Sequence, residues 1–372
     1  MNVVHLVQNN AWGGGERYVL DLCRALRALG HTPAAITRRR PAVSEPFARE
    51  GLLAGTLPLG GMLDVVSPVL LAKHLDTLDG PTVVHVHNFK AATVALRARR
   101  LMRRDQGRVR VICTRHLVRP ARTSASARRT YAELDAIIFV SRLALDTFLS
   151  SGSDIDTARL HVIPNAIADT TEPAPHAPTA DGCVRLLYAG RIHPEKGVDT
   201  LIEALGRLHT AASWHLDICG TGLPRHIMPM MRLARNLSVD DRIDWQGFVA
   251  DMTPLRSTAD IAVVPSRVAE SSSLAALEAM AYGIPVVATD NGAQREAITD
   301  GTDGLLVPPD DPDALASALT SLIDNPALRT SMSRCAATNY HKNHSYQSFI
   351  SDILDVYETP QDSHLTHSPA GD

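Results

Sequence analysis

The chain has 372 residues, 45% apolar and 21% charged, which excludes a disordered polypeptide. It lacks any run of about 18 apolar residues, so a membrane-spanning helix is excluded, and its length suits two domains rather than one core. The net charge of −3 conceals an asymmetry: residues 1–168 hold 23 Lys+Arg against 13 Asp+Glu, and the remainder holds 14 against 27.

The first apolar run, at 3–7, reads as a strand and lacks the basic start of a signal peptide. A segment at 16–29 follows, with Val19, Leu20, Cys23 and Leu26 at helical spacing. Further strands are predicted at 34–37, 83–87, 109–114, 136–140 and 160–163, with amphipathic segments between them. Residues 169–182 are rich in Pro, Ala and Thr and read as a connection between domains. Beyond them the alternation restarts, with strands at 184–189, 215–219, 243–245, 261–264 and 286–288. Helices are predicted at 198–208, 273–282 and 312–323. Alternation of this kind implies doubly wound parallel sheets, hence an α/β chain of two facing Rossmann-like domains. The expected organisation is a first domain at 1–168, a linker at 169–182, a second domain at 183–344, a helix at 345–358 and a disordered tail at 359–372.

The five cysteines, Cys23, Cys113, Cys183, Cys219 and Cys335, are odd in number, widely spaced and never CxxC. They indicate neither a disulfide framework nor a zinc site and fit a reducing cytoplasm. Much of the positive charge falls within 97–129. One reading is a solvated helix face; the other is attraction to an anionic surface, whether phospholipid or a phosphorylated acceptor. The stretch is poor in aromatics and carries no nucleic-acid-binding motif, which disfavours nucleic acid as partner.

In open α/β sheets, ligands gather at the carboxyl ends of strands and at helix N-termini. Three segments occupy such places. The first is Trp12-Gly13-Gly14-Gly15-Glu16-Arg17, where glycines permit close backbone approach to a ligand. Tyr18 stands where a dinucleotide fingerprint needs its third glycine, so NAD binding is disfavoured; a plain tight turn is the alternative. The second runs from Gly190-Arg191 to Lys196-Gly197. Arg191 supplies a planar fork and Lys196 a point charge, a pair able to converge on a diphosphate.

The third runs from Glu270 through Ser271, Ser272, Ser273 and Leu274 to Glu278. The serines are N-cap candidates, so a helix should open here with outward-facing amides. The two glutamates stand about 12 Å apart at ~1.5 Å per residue, a span comparable to that from a sugar across a diphosphate to a ribose. One carboxylate could then accept sugar hydroxyls and the other ribose hydroxyls, with phosphates at the helix N-terminus between them. Among the histidines, His116 ends a strand where ligands bind, while His85 and His87 share one face of another. The latter pair lacks an acidic third ligand, and a metal site there is rejected.

Together with the Gly220-Thr221-Gly222 loop, these segments resemble the family 4 retaining glycosyltransferases of GT-B fold. The features that carry the resemblance are Gly13 to Arg17, Gly190-Arg191 with Lys196-Gly197, and above all E-x7-E followed by LEAMAYGIPVVA. The resemblance covers about residues 2–357. It implies a UDP- or GDP-sugar donor bound by the second domain, a glycan or glycolipid acceptor bound by the first, and no metal or other cofactor. Residue by residue, it implies that Arg191 and Lys196 neutralise the diphosphate and that Glu278 holds the ribose. Glu270 and His116 would contact the transferred sugar. Amides of Ser272, Ser273 and Leu274 would face the sugar and distal phosphate, Gly14 and Gly15 would close over the donor, and the base would lie near Val249. Retention would follow from front-face attack, with Glu270 a positioning group and not a nucleophile. The family commonly shows Phe-Gly where this chain has Ser272-Ser273, which leaves the donor unassigned. A surface-polysaccharide or lipopolysaccharide pathway is the implied setting. An epimerase of the same shape and a non-catalytic sugar-nucleotide-binding module are the alternatives; neither accounts for the whole set of charged residues.

Overall fold

The computed structural model describes residues 1–61, 63–152, 155–168 and 182–359. Most of the expected linker and the tail from 360 onward lie outside these residues. The first lobe is a seven-stranded sheet of β1 (Asn2–Val7), β2 (Thr32–Thr37), β3 (Leu53–Thr56), β4 (Thr82–Val86), β5 (Val109–Arg115), β6 (Ala136–Phe139) and β7 (Leu160–Val162). Its order is β3-β2-β1-β4-β5-β6-β7, parallel throughout. The second lobe contains β8 (Val184–Ala189), β9 (Trp214–Cys219), β10 (Ile243–Gly247), β11 (Ile261–Val264), β12 (Val286–Thr289) and β13 (Gly304–Val307). These form a parallel sheet in the order β10-β9-β8-β11-β12-β13.

In both sheets the chain builds outward in one direction and then returns to build in the other. The reversal falls between β1 and β4 in the first lobe and between β8 and β11 in the second. The crevice at such a reversal opens at the carboxyl ends of the strands. The loops there begin at Gln8, His87, Gly190 and Pro265, and each of the four leads into or carries a residue singled out from sequence.

Helices cover both faces of each sheet because strands such as Val3, Val4, Leu6 and Val7 are apolar on both sides. β3 and β13 escaped the sequence reading: both are four-residue edge strands with half-buried residues, and each contains a glycine, Gly55 and Gly304 respectively. The helix expected over 198–208 stops at Leu205, before Gly206. Helix Tyr346–Glu358 returns to the first lobe and buries Phe349, Ile350, Ile353, Val356 and Tyr357 in its core. Arg110 fastens its end by donating to the carbonyls of Val356 and Tyr357 at 2.9 and 2.7 Å. Among the described residues no helix is long and apolar enough to cross a membrane.

Among the described residues, the Tyr340 hydroxyl of the second lobe accepts the Ile167 amide at 3.0 Å and donates to the Ile167 carbonyl at 3.1 Å, and the lobes touch through three further polar contacts. Ser271 Oγ donates to the His116 carbonyl at 2.6 Å. In the other two, the Glu296 carboxylate of the second lobe accepts the amides of Arg142 and Leu143, each at 2.7 Å, at the start of first-lobe helix Arg142–Leu149. A carboxylate at a helix N-terminus stabilises by about 1 kcal/mol, and this one exists only while the lobes are together. Glu296→Ala should therefore shift the balance toward an open form about fivefold. Small-angle scattering of the unliganded protein should report a larger radius of gyration, and an unchanged radius would refute the latch.

Candidate active site

The head of helix Leu274–Ala281 is the centre of the cleft. Ser273 is its N-cap, accepting the Ala276 amide at 3.3 Å, so the Ser272, Ser273 and Leu274 amides stand at an N-terminus as the serine run anticipated. Gly14, in the first turn of helix Gly14–Ala28, faces this point from the other lobe. A Cβ at Gly14 would lie 2.8 Å from Leu274 Cδ1, the tip of a side chain, so a larger residue there would require that side chain to shift; Gly15 has ordinary clearance. Next to them, Glu16 is buried and hydrogen-bonded by Asn9 Nδ2, and burial pushes its carboxyl up.

Lys196 ends a short 3-10 turn that Gly197 closes in the left-handed region at φ 66°, packed against the Pro265 carbonyl where no Cβ would fit. Its ammonium reaches Glu270 Oε1 at 2.5 Å, and the same oxygen accepts Ser266 Oγ at 2.6 Å. The glutamate's backbone is also held, since its carbonyl accepts the Ala293 amide at 2.7 Å. Lys196 and Glu270 are thus brought together, beside the amides of 272–274.

Arg191 stands apart. It is largely exposed and pairs with Glu195 at 2.8 Å, so the two cations do not converge on one point here; each has its own carboxylate. Glu278 pairs with Arg256, whose guanidinium also lies over the Tyr282 ring. Burial pushes the Glu278 carboxyl up, and the Arg256 and Arg17 charges oppose that rise. Arg17, Asp21, Arg256, Leu274, Glu278 and Tyr346 line a cavity of about 300 Å³ between the lobes. Val249 is half-buried against the second-lobe core, next to Phe248, which is 69% exposed.

His116 follows β5 immediately and edges onto the Tyr18 ring at 5.1 Å. Behind it lie His87, His85 and His5. The ligand atoms of the last three come within 4.8 Å of one another, as do those of His215, Asp217 and Asp244. In the first group, His85 meets Tyr357 Oη at 2.6 Å and Thr114 Oγ1 at 2.7 Å, and His5 Nδ1 meets His87 Nε2 at 3.2 Å. They form a hydrogen-bonded network, and His5 stands as a third nitrogen beside His85 and His87, a neighbour that the sequence reading, which rejected a metal there for want of an acidic third ligand, did not foresee.

Sequence reasoning missed Arg256, Ser266, Glu296 and the links among the histidines. Arg256 and Ser266 are isolated in sequence and gain meaning only from partners brought by folding. In the basic run, several charges have partners within the lobe. Arg99 is paired with Asp135 at 2.6 Å, Arg104 with Asp79 at 2.7 Å, and Arg100 with Glu133. Much of that charge holds the first lobe together.

Two parallel-sheet lobes meeting over charged strand ends define the GT-B glycosyltransferase architecture. Residues 12–170 match the model described as Glycosyltransferase Family 4, and residues 183–325 match that described as Glycosyl transferases group 1. The chain belongs to this glycosyltransferase family. It is 27% identical to a D-inositol 3-phosphate glycosyltransferase of Xylanimonas cellulosilytica, covering 93% of this chain and 91% of that one. It is 29% identical to a phosphatidyl-myo-inositol mannosyltransferase of Mycobacterium leprae, covering 93% of each. The Anabaena protein HepE, crystallised with UDP, superposes with a TM-score of 0.81 at 19% identity over 95% of this chain and 99% of that one.

The buried histidines set a pH response. Burial lowers His5 to about 3 and His116 to about 4, and it holds His85 and His87 well below their ordinary value. In the unfolded chain they titrate near pH 6.5, so on acidification the unfolded state takes up protons first. Stability is full above that value and should fall below it, by about 1.4 kcal/mol per pH unit for each histidine. Glu16 and Glu278, whose carboxyls burial raises, take up protons in the folded state before the unfolded one and so oppose this loss. Urea midpoints measured from pH 8 to 5 should be level above 7 and drop steeply below 6.5; a flat profile would refute this account.

Proposed function

We propose that this glycosyltransferase transfers a hexosyl group, with retention and without metal, from a nucleotide-diphospho-sugar to a hydroxyl of a glycan or glycolipid. The observation that carries the reading is Lys196 paired with Glu270 beside the amides that open helix Leu274–Ala281. An arriving diphosphate would take Lys196 and those amides, with Arg191 turning inward from Glu195 to add a second cation. Glu270, released from the ammonium, would accept hydroxyls of the transferred sugar, and Glu278 those of the ribose. Gly14 and Gly15 would cover the donor, and Val249 would border the base. His116 would touch the sugar from the first lobe.

In the transfer the anomeric carbon's bond to the diphosphate oxygen breaks as the acceptor oxygen bonds on the same face. The departing phosphate oxygen takes the acceptor's proton, and Lys196, Arg191 and the helix terminus stabilise the charge that grows there. UDP is a reasonable first probe because HepE was crystallised with UDP-glucose, while Ser272-Ser273 leaves the sugar open. With EDTA present, calorimetry should detect UDP-glucose or GDP-mannose binding, and Lys196→Ala should weaken it at least about tenfold. A donor at 100 times its Kd should stabilise the protein by about 2.7 kcal/mol. Loss of all binding in EDTA, or a product of inverted anomeric configuration, would overturn the reading.

For the acceptor side, we propose a cytoplasmic enzyme that works against an anionic membrane face. The support is an apolar rim at the start of helix Val66–Thr77, where Leu63 is 95% and Val65 65% exposed, beside exposed Lys73 and Lys90. The protein should co-sediment with phosphatidylglycerol vesicles at low salt, and Leu63→Glu should reduce this several-fold. Equal sedimentation by both proteins would exclude the rim.

A further inference from the structure

A polar stripe crosses the otherwise apolar face of the first sheet. His5 lies in register with His85 on the adjacent strand, and residues two apart on a strand share a face. His5, His85, His87, Thr114 and His116 therefore run together beneath Tyr18, Phe349 and Tyr357. Within this stripe three imidazoles form a chain: His5 Nδ1 lies 3.2 Å from His87 Nε2, and His87 Nδ1 lies 3.2 Å from His116 Nε2. Apolar side chains would fill the same layer without desolvating any polar atom.

A neutral imidazole carries one N–H and one bare nitrogen. Burial keeps these rings neutral, His116 among them, so the hydrogens of the chain must all point one way. Pointing toward the cleft, His5 Nδ1–H donates to His87 Nε2 and His87 Nδ1–H donates to His116 Nε2. His116 then carries its own hydrogen on Nδ1, and a bare Nε2 is left over at His5. Pointing the other way, the leftover is an N–H at His5 Nε2, an atom that is buried and has no partner among the described residues. Of the two, an orphaned buried N–H is the rarer.

We propose that His87, with His5 behind it, is a positioning residue that locks His116 in the Nδ1–H tautomer, so that the cleft is offered a hydrogen-bond donor. The inference rests on the reading of His116 as a sugar contact, and it fits a ligand that is rich in hydroxyl and phosphate oxygens.

Histidine-labelled ¹⁵N spectra of the full chain test it, with His116 identified through its loss in His116→Gln. The wild type should show the proton on Nδ1 and a bare Nε2. The amide of asparagine stands where histidine has Nδ1, and that of glutamine stands where histidine has Nε2. His87→Asn should therefore keep the tautomer, whereas His87→Gln and His87→Phe should let the two forms mix. UDP-glucose affinity should fall about fivefold in His87→Gln and His87→Phe and stay near wild type in His87→Asn. A wild-type proton on Nε2, or the same tautomer in all three variants, would overturn the proposal, and the wild-type spectrum decides even where a variant does not fold. If wild-type protein binds no UDP-glucose, the sugar-contact reading fails while the spectra still judge the tautomer.

Discussion

The meeting of the two lobes at one helix head governs this molecule. Gly14 of the first lobe meets the Leu274 side chain of the second so closely that a Cβ there would have to displace the leucine's Cδ1. Leu274 is the first residue of a helix whose leading amides have no intrahelical partner, and that helix head faces the first lobe across the cleft. Ser271 reaching the His116 carbonyl and Glu296 capping the opposite helix hold the same closure at two further points.

Parallel sheets explain why chemistry collects at that contact. Every strand of a lobe ends at the same edge, so loops distant in sequence become neighbours. The reversals after β1, β4, β8 and β11 bring in the glycine loop, His87, Arg191 and the 265–274 segment, respectively. Helix Tyr346–Glu358 ties the end of the described chain to the first lobe, with Tyr357 bonded to His85 beneath the cleft. The packing that anchors this helix and the polar stripe that reaches His116 are therefore adjoining parts of one layer.

What could be read from the sequence depended on how local the physics was. The helix head at 273–274 was legible because capping is decided within four residues, and central strands such as β1 and β8 because burial on both faces leaves an unbroken apolar run. The spacing of Glu270 and Glu278 was visible, but their companions were not. Lys196 lies 74 positions from Glu270 and Arg256 22 from Glu278, and nothing near either cation marks its partner. The partners of the arginine run were hidden for the same reason: Asp135, Asp79 and Glu133 pair with charges that look free along the chain. Edge strands β3 and β13 were missed: each is only four residues long and includes a glycine, Gly55 or Gly304, which shortens the apolar signal.

The pairing of charges inside the cleft bears on selectivity. Lys196 and Glu270 are both mostly shielded from water, so a ligand that takes one and ignores the other leaves a poorly solvated charge behind. Inorganic phosphate would occupy the ammonium and strand the carboxylate; a free sugar would do the reverse. A sugar joined to a diphosphate supplies an anion for Lys196 and hydroxyl donors for Glu270 in one arrival, so neither charge is left uncompensated. Arg256 and Glu278 form a second such pair, in which the guanidinium opposes the upward push that burial gives the carboxyl, and on the proposed mode a ribose would share that carboxylate. On the proposed donor mode, preference for the intact nucleotide sugar follows from ion pairs that are best replaced together.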